Sequence, residues 1–318
     1  MKAAVYDING EPEVFRYEEV ADPKPLPGQV LIKVEAICIE GGDLSKRRLS
    51  PPASARHILG YAAAGEIIEL GSDVQHFVLG QKVVTFDFTG SHAELRAVPA
   101  STTFAIPEGL DVQLAIASFI GVGTAAFAIH LSGAKRGDYI LVTGATGGVG
   151  NATMQLLANE GAHVFATGRN PETLKELKGF GAEETILTGD KSIHRQIRDI
   201  RKEGVDIFID AVGMDILLDG MMAVKDGGKV ILLAGRYGKS NFIDPLYIIS
   251  HRLQLTGCLL GVLIHEPWVR DLIQKGLQSV TEGKVKIPID RVYKLSEAAK
   301  AHSRAEQPGK LGKVLMIP

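Results

Sequence analysis

The spacing of apolar residues divides the chain into two kinds of region. Before Leu110, short apolar runs at residues 30–36, 64–70 and 82–86 are separated by turns rich in glycine and proline. Closely spaced short strands of this kind predict a compact, barrel-like β unit. From Tyr139 onward, apolar runs alternate with helical patterns, which predicts a parallel sheet with right-handed crossovers and helices on both faces.

Local signals place the individual elements. A helix is predicted to begin near Leu110 with Asp111 as its cap, and another begins at Asn170, which is followed by proline in the first turn. The strands of the alternating region are predicted at residues 139–143, 162–167, 184–187, 205–210, 229–233 and 253–257. The chain then ends with a helix near residues 268–282, a strand near 290–293, a helix at 296–306 and a strand at 312–317.

A glycine-rich stretch, residues 144–150 (GATGGVG), joins the first of these strands to a helical pattern at 151–158. A loop that wraps a pyrophosphate needs positive φ angles and no Cβ where its backbone approaches the phosphate oxygens. The helix that follows directs its free N–H groups at the anion. The stretch therefore predicts a dinucleotide site, although Ala145 takes the first position of the G-x-G-x-x-G pattern.

Composition narrows the class of partner. The chain has 318 residues, enough for two domains, and its 35 basic and 37 acidic residues nearly cancel, with no long run of one sign. The sequence therefore has no basic stretch of the kind that binds nucleic acid or anionic membrane, and we expect a small-molecule substrate. Cys38 and Cys258 are the only cysteines, and we expect no disulfide. Without a signal-peptide pattern or 18 consecutive apolar residues, we expect a soluble, cytoplasmic protein.

The tip of the second alternating strand indicates which dinucleotide is bound. NAD-binding proteins of this kind place a carboxylate there for the ribose hydroxyls, whereas this chain has Gly168 followed by Arg169. Glycine leaves space for a 2′-phosphate, and a guanidinium can bind it bidentately. We therefore predict NADPH as the cofactor. The alternative is that Arg169 is a solvated loop residue.

Several motifs in one order carry a family resemblance. They are residues 10–14 (GEPEV), 25–34 (PLPGQVLIKV), 59–65 (LGYAAAG), 79–83 (LGQKV), 90–95 (GSHAEL), 144–150, 205–213 (VDIFIDAVG) and 312–313 (GK). With them the chain resembles the zinc-independent, zeta-crystallin-like quinone oxidoreductases of the medium-chain dehydrogenase/reductase superfamily. The resemblance implies an α/β protein in which a doubly wound parallel-sheet Rossmann domain is inserted in a β-rich GroES-like catalytic domain, assembled as a homodimer or tetramer. The implied boundaries are residues 1–112, 113–261 and 262–318.

The resemblance also locates a metal site that this chain does not repeat. Zinc-dependent alcohol dehydrogenases of the superfamily place a cysteine three residues before an aspartate, and a His-Glu pair in a G-H-E turn. Here the aspartate is Asp43, the cysteine position holds Glu40, and the turn reads Gly60-Tyr61-Ala62. One carboxylate is far from the four ligands that zinc requires, so we predict no metal. Cys38 is out of register and is interpreted as a buried free cysteine.

Without a metal to polarise a carbonyl, the expected acceptors are already electrophilic, as quinones and α,β-unsaturated carbonyls are. Tyr61 and Glu40 are the candidate catalytic residues, for proton delivery, because they take the positions of zinc ligands. Tyr61 could instead be a packed aromatic residue, and Glu40 a solvated or ion-paired carboxylate. Related quinone reductases usually carry an amide at the position of Glu40 and aromatic residues where this chain has 44–46 (LSK), which weakens the case for a quinone.

The remaining cofactor contacts are assigned by position. In the loop they are Thr146, Gly147, Gly148 and Val149; elsewhere, by strand tip or resemblance, they are Thr124, Val212, Gly235, Arg236, Leu260 and Lys313. The glycines after the later strands could equally be turn residues, and Lys313 could cap the final strand. Arg47 or Arg48 could bind substrate or a cofactor phosphate, or mark a surface helix end.

The predicted activity is therefore zinc-independent, NADPH-dependent reduction of quinones or conjugated carbonyls. The alternative is an NADPH-binding protein without catalytic function. The sequence argues against a short-chain type of reductase, because none of the seven tyrosines has lysine at the fourth position after it.

Overall fold

A computed structural model describes residues 1–189, 191–213, 216–235 and 243–318. The N-terminal part is built mainly of strands. They are β1 (Lys2–Tyr6), β2 (Arg16–Glu19), β3 (Gln29–Cys38), β4 (His57–Ile58), β5 (Ala62–Leu70), β6 (Lys82–Phe86), β7 (Leu95–Pro99) and β8 (Thr103–Ala105). A helix, α1 (Gly41–Leu49), lies between β3 and β4 and carries the candidate site residues that follow Cys38.

Strands and helices alternate in the central part, as the sequence pattern predicts. A long helix, α2 (Val112–Ser132), precedes them. The alternating elements are β9 (Tyr139–Val142), α3 (Gly148–Asn159), β10 (His163–Gly168), α4 (Pro171–Leu177), β11 (Glu184–Leu187), α5 (Ile193–Ile200), β12 (Val205–Asp210), α6 (Leu217–Met222), β13 (Val224–Leu232), α7 (Pro245–His251) and β14 (Gln254–Gly257). The six strands form one parallel sheet in the order β11-β10-β9-β12-β13-β14.

The end of the chain returns to the N-terminal part. Its elements are α8 (Leu260–Leu263), α9 (Pro267–Thr281), β15 (Ile289–Lys294), α10 (Ala298–Glu306) and β16 (Lys313–Ile317). The last strand pairs antiparallel with β3, where Leu315 lies opposite Cys38. The resulting sheet has the order β15-β16-β3-β5-β6-β8, with β7 also paired to β3. Both chain ends therefore build one β-rich unit around the parallel-sheet unit, which confirms the predicted fold class; the exact domain boundaries stay a prediction.

Helix α2 packs in the interior against helices of the central and C-terminal parts. Within the described ranges it is the one helix whose length and mean hydropathy of 1.9 would suffice to span a membrane, and 61% of that window is buried in the protein. Glycines let α2 approach its neighbours closely. A Cβ at Gly121 would lie 3.0 Å from the carbonyl oxygen of Gly148 in α3, and a Cβ at Gly123 would lie 3.2 Å from Leu260 Cδ2 in α8. The helix thus places its residue Thr124 beside the start of α8.

Candidate active site

The predicted phosphate loop connects β9 to α3 with the geometry of an anion site. Gly144 adopts a positive φ of 65°, which glycine adopts without strain. Gly147 is the N-cap of α3 and offers no side chain to the free N–H groups of the first turn. Those N–H groups and the positive end of the helix dipole are therefore available to a phosphate.

Two glycines of this loop are required by internal packing. A Cβ at Gly150 would lie 2.4 Å from the carbonyl oxygen of Gly144, and a Cβ at Gly148 would lie 2.7 Å from Lys313 Cδ. Sequence reasoning explains these glycines by approach of a phosphate. The structure adds a second reason. Gly150 packs against the backbone of Gly144 within the loop, and Gly148 packs against the side chain of Lys313.

A buried carboxylate joins the tips of β9 and β12. Thr143 donates through Oγ1 to Asp210 Oδ1 at 2.7 Å, and the backbone N–H of Gly213 donates to the same carboxylate at 3.0 Å. The neighbouring Val212 is 46% exposed and lies next to Gly144, where a Cβ would be 3.0 Å from Val212 Cγ2. Sequence reasoning missed the role of Asp210, although its position at the tip of a strand between apolar residues was a signal.

The tip of β10 opens into a surface pocket. The pocket has a volume of about 370 Å³ and is lined by Arg169, Pro171, Leu187, Thr188, Gly189, Lys191 and Gln196. Gly168 lies where the pocket meets the sheet. A Cβ at Gly168 would lie 3.0 Å from Leu174 and 3.5 Å from Thr146 Cγ2. Arg169 is exposed and pairs with no carboxylate of the described chain. The predicted cap is confirmed, since Asn170 accepts from the N–H of Glu172 at 2.9 Å.

Glu40, at a position that corresponds to a zinc ligand, belongs to a buried ion pair. Lys313 donates from Nζ to Glu40 Oε2 at 2.6 Å, and the two side chains are only 9% and 6% exposed. Burial acts to lower the pKa of Lys313, but Cys38 and Glu40 outweigh burial and raise it. The other carboxylate oxygen of Glu40, Oε1, is buried and has no hydrogen-bond partner among the described residues. The ion-paired alternative is therefore the state that Glu40 adopts.

Asp43 anchors this region through its backbone contacts. Its carboxylate accepts from the N–H of Glu40 at 2.8 Å and from the N–H of Tyr61 at 3.1 Å. The residue is completely buried, and burial raises the pKa of its carboxyl to about 7 against the opposing effect of these hydrogen bonds. Asp43 thus fixes the two candidate catalytic residues relative to each other.

Tyr61 belongs to a group of three rings, Tyr61, Phe86 and Phe88, which we call the aromatic wall. The tyrosine ring meets both phenylalanines edge to face, with centroids 5.8 and 5.7 Å away. It packs tightly on α1, since a Cβ at Gly42 would lie 2.3 Å from Tyr61 Cε2. The wall reaches the other part of the protein at α8, where a Cβ at Gly261 would lie 2.7 Å from Phe86 Cζ.

Sequence reasoning missed both phenylalanines and the arginine behind them. The alternation Phe86-Asp-Phe88 was a usable signal, because residues two apart in an extended chain share a face. Arg96 is buried and donates to the carbonyl oxygens of Tyr61 and Thr89, each at 2.9 Å. Burial lowers the pKa of Arg96 to about 10. The guanidinium therefore holds the backbone on both sides of the aromatic wall.

The structure brings most of the predicted cofactor residues into one region. Val149 follows Gly148 in the first turn of α3, and Leu260, at the start of α8, lies beside the α2 turn that carries Thr124. Gly235 follows β13 in open space, with no atom within 4 Å of the position that a Cβ would take, and Arg236 lies outside the described residues. These assignments stay predictions.

The suggestion that Arg47 or Arg48 binds substrate or cofactor is not supported by their contacts. Arg47 is fully buried, not at a surface helix end, and donates to Glu306 at 2.6 Å. Arg48 is exposed and donates to Glu11 at 2.7 Å. Both guanidinium groups are already neutralised by carboxylates of the protein.

The residues at the superfamily's metal position do not fit zinc. The carboxylate of Glu40 is neutralised by an ammonium group, and Tyr61 and Ala62 supply no imidazole or carboxylate. In the described part of the chain, no group of three or more His, Cys, Asp and Glu side chains could hold a metal ion.

Comparisons with known proteins agree with the fold. Family models of the alcohol dehydrogenase GroES-like domain and of the zinc-binding dehydrogenases match residues 26–108 and 148–275. The chain is 30% identical to a quinone oxidoreductase of Rattus norvegicus over 98% of its own length and 96% of the relative. It is 28% identical to a 2-haloacrylate reductase of a Burkholderia species over 99% and 98%. The solved quinone oxidoreductase from Coxiella burnetii superposes with a TM-score of 0.85 at 27% identity, covering 100% of this chain and 99% of the other.

Proposed function

Because the chain belongs to the zinc-independent, quinone oxidoreductase-like members of the medium-chain dehydrogenase/reductase family, and is therefore an oxidoreductase, we propose that it uses NADPH to reduce quinones or α,β-unsaturated carbonyl compounds. The named relatives include a quinone oxidoreductase and a 2-haloacrylate reductase, which span these two acceptor classes. A cytoplasmic location and a homodimeric or tetrameric assembly remain part of the proposal.

The observation that carries the proposed acceptor class is the buried Glu40–Lys313 pair. Glu40 takes a position that the resemblance assigns to a zinc ligand, and its carboxylate is paired with Lys313, so these residues do not fit a metal that would polarise a simple carbonyl or alcohol oxygen. We therefore expect a substrate with its own electrophilic carbon, as conjugated carbonyls and quinones have.

The loop and strand tips fit a dinucleotide with a 2′-phosphate. The N–H groups of Thr146, Gly148 and Val149 would bind the pyrophosphate beside Gly147, whose own N–H donates to the carbonyl oxygen of Gly144 at 2.9 Å. Arg169 would bind the 2′-phosphate in the pocket beside Gly168. NADPH supplies the hydride when bound. Toward its nicotinamide end the protein offers Thr124 and Leu260.

The candidate proton donors differ in their surroundings. Tyr61 presents a phenol in the aromatic wall, next to the backbone of α1, and is the better placed donor for a product oxyanion or carbanion. Glu40 is held as a carboxylate by Lys313, so its role in the proposal is to accept a hydrogen bond at Oε1 from cofactor or substrate.

The first experiment measures NADPH oxidation with naphthoquinone, phenanthrenequinone, an alkenal and an enone. Turnover with at least one of them is expected. Tight NADPH binding without turnover of any acceptor would contradict the proposed activity and favour a non-catalytic NADPH-binding protein.

The cofactor preference is tested with Arg169→Ala. Loss of a charge-assisted contact to the 2′-phosphate should raise the Kd of NADPH about tenfold or more and leave that of NADH within about twofold. Arg136→Ala is the matched control, because Arg136 is an exposed arginine before β9, at the opposite end of that strand from the loop. Equal effects of Arg169→Ala on both cofactors, measured by fluorescence titration, would refute the phosphate assignment.

A further inference from the structure

The ammonium group of Lys46 lies over the aromatic wall. Its Nζ is 5.4 Å from the ring centroid of Tyr61 and 5.6 Å from that of Phe88, within the range of a cation–π contact. It also donates to the carbonyl oxygen of Phe88 at 2.7 Å. An ammonium group has three N–H donors, so this contact leaves donors for a further partner.

Lys46 differs from the two cations that follow it in α1. Arg47 is bound to Glu306 and Arg48 to Glu11. Lys46 forms no ion pair with any carboxylate of the described chain. Of the three cations in this helix turn, Lys46 is thus the one whose charge no carboxylate balances. Its ammonium group lies on the side of the aromatic wall.

The aromatic wall connects Lys46 to the elements that carry the proposed nicotinamide contacts. Phe86 and Phe88 contact the start of α8 at Gly261, where a Cβ would lie 2.7 Å from Phe86 and 3.1 Å from Phe88. The preceding residue, Leu260, lies beside the α2 turn of Thr124, which is the proposed nicotinamide contact. A flat substrate in front of the nicotinamide would therefore have aromatic rings on one side and an ammonium group at its edge.

We propose that Lys46 binds the carboxylate of the substrate, and that the protein prefers α,β-unsaturated carbonyl compounds that carry a carboxylate over neutral enones and quinones. This inference rests on the proposed reductase function and specifies its substrate class. A hydrogen bond between an ammonium group and a carboxylate is charge-assisted on both sides, which makes it stronger than one between neutral groups. The carboxylate is a binding group and is not changed by the reaction.

The test compares (E)-4-oxopent-2-enoate with its methyl ester, because the two share one conjugated system and differ in the charge. The wild-type protein should show a lower KM for the acid. Lys46→Gln should raise the KM of the acid about tenfold or more and leave the KM of the ester within about twofold. Lys46→Arg, which keeps the charge, should retain the preference for the acid.

Two controls separate recognition of the carboxylate from a structural role of Lys46. Lys24→Gln removes an exposed lysine far along the chain from α1 and should change neither KM. If Lys46→Gln raised the KM of acid and ester by the same factor, Lys46 would only support the Phe88 backbone and the inference would be wrong. Preference of the wild type for the ester or for quinones would also overturn it, while leaving the reductase function intact.

A binding measurement makes the inference independent of turnover. Calorimetric titration of (E)-4-oxopent-2-enoate into the protein loaded with NADP⁺ should show binding that Lys46→Gln weakens about tenfold. Unchanged or absent binding would overturn the carboxylate site. Wild-type binding of the acid without reduction of any acceptor would instead refute the proposed reductase function.

Discussion

Lys313 shows how far a single residue's role can lie from what its sequence position indicates. Its place before the last strand predicts contact with a phosphate or a cap on that strand. The structure buries it between the glycine loop and Glu40, a residue 273 positions earlier in the chain. Nothing in the local sequence of either residue announces an ion pair over such a separation. The loss of the zinc ligands, in contrast, could be predicted, because it needs only the identities at positions 40, 61 and 62.

The ion pair leads to a prediction for stability. Lys313→Met leaves the buried carboxylate of Glu40 without its counter-charge, which should cost about 3–5 kcal/mol of unfolding free energy. The double variant Glu40→Gln/Lys313→Met removes both charges and should recover a large part of that loss. Urea unfolding of the wild type, both single variants and the double variant gives the coupling energy of the pair.

The exposed pair Lys300–Glu297, with side chains 73% and 35% exposed, provides the matched control. Lys300→Met should leave the unfolding free energy nearly unchanged, because water screens both charges. Additive losses from the two single variants at positions 40 and 313 would mean that the buried charges do not depend on each other.

At the scale of helices and strands, local sequence signals were reliable where a residue next to or within the element determines its boundary. Asp111 caps α2 by accepting from the N–H of Leu114 at 3.0 Å, as its position before an apolar helix predicts. The interior of α1 was not predictable in the same way. Its Asp43 and Arg47 are polar residues that would ordinarily face water, and both are completely buried. Asp43 accepts from the helix's own N-cap, Glu40, and from Tyr61, while Arg47 donates to Glu306 in another element. Such burial follows from tertiary contacts that a local pattern does not contain.

At the start of α3, helix propensity and packing predict opposite effects of one substitution, glycine to alanine at position 150. Alanine normally stabilises a helix relative to glycine by up to about 1 kcal/mol. In Gly150→Ala the new Cβ would meet the Gly144 carbonyl at 2.4 Å, so the loop must shift. We expect a loss of about 1–3 kcal/mol of unfolding free energy and weaker NADPH binding.

Gly179→Ala serves as the control, because no atom lies within 4 Å of its Cβ position and its φ angle is not positive. This variant should keep both stability and NADPH affinity. A Gly150→Ala protein with wild-type unfolding and affinity would show that the loop can relax without cost and that glycine is not required there.

At the scale of the whole molecule, the two chain ends meet in a buried hydrogen-bonded chain. Arg47 can only donate, so Nδ1 of His302 accepts from it at 3.2 Å, and Nε2 of His302 then donates to Nε2 of His92 at 2.9 Å. His92 in turn donates from Nδ1 to Ser91 at 3.1 Å. The mixed pattern at the end of the chain and the family resemblance both predicted a return to the β-rich domain, but neither motif nor periodicity identified these histidines as partners.

The hydrogen-bonded chain requires both histidines to be neutral. Burial, with a smaller effect of Arg96, lowers the pKa of His92 to about 3, and burial lowers that of His302 well below its ordinary value. Below about pH 6.5 the unfolded chain therefore binds protons that the folded protein does not, and stability falls as the pH decreases. Asp43 opposes this trend, since its raised pKa of about 7 makes the folded protein bind a proton more readily than the unfolded chain.

A histidine variant isolates this contribution from that of Asp43. In His302→Gln the amide can accept from Arg47 and donate to His92, but it does not titrate. Between pH 6 and 4.5 the unfolding free energy should therefore fall less steeply than in the wild type, and the two slopes should differ by about 1.4 kcal/mol per pH unit. Urea unfolding at several pH values measures both slopes. His76→Gln, at an exposed position, should leave the slope unchanged. Parallel curves for wild type and His302→Gln would mean that His302 accepts a proton in the folded protein, and that the hydrogen-bonded chain tolerates its charge.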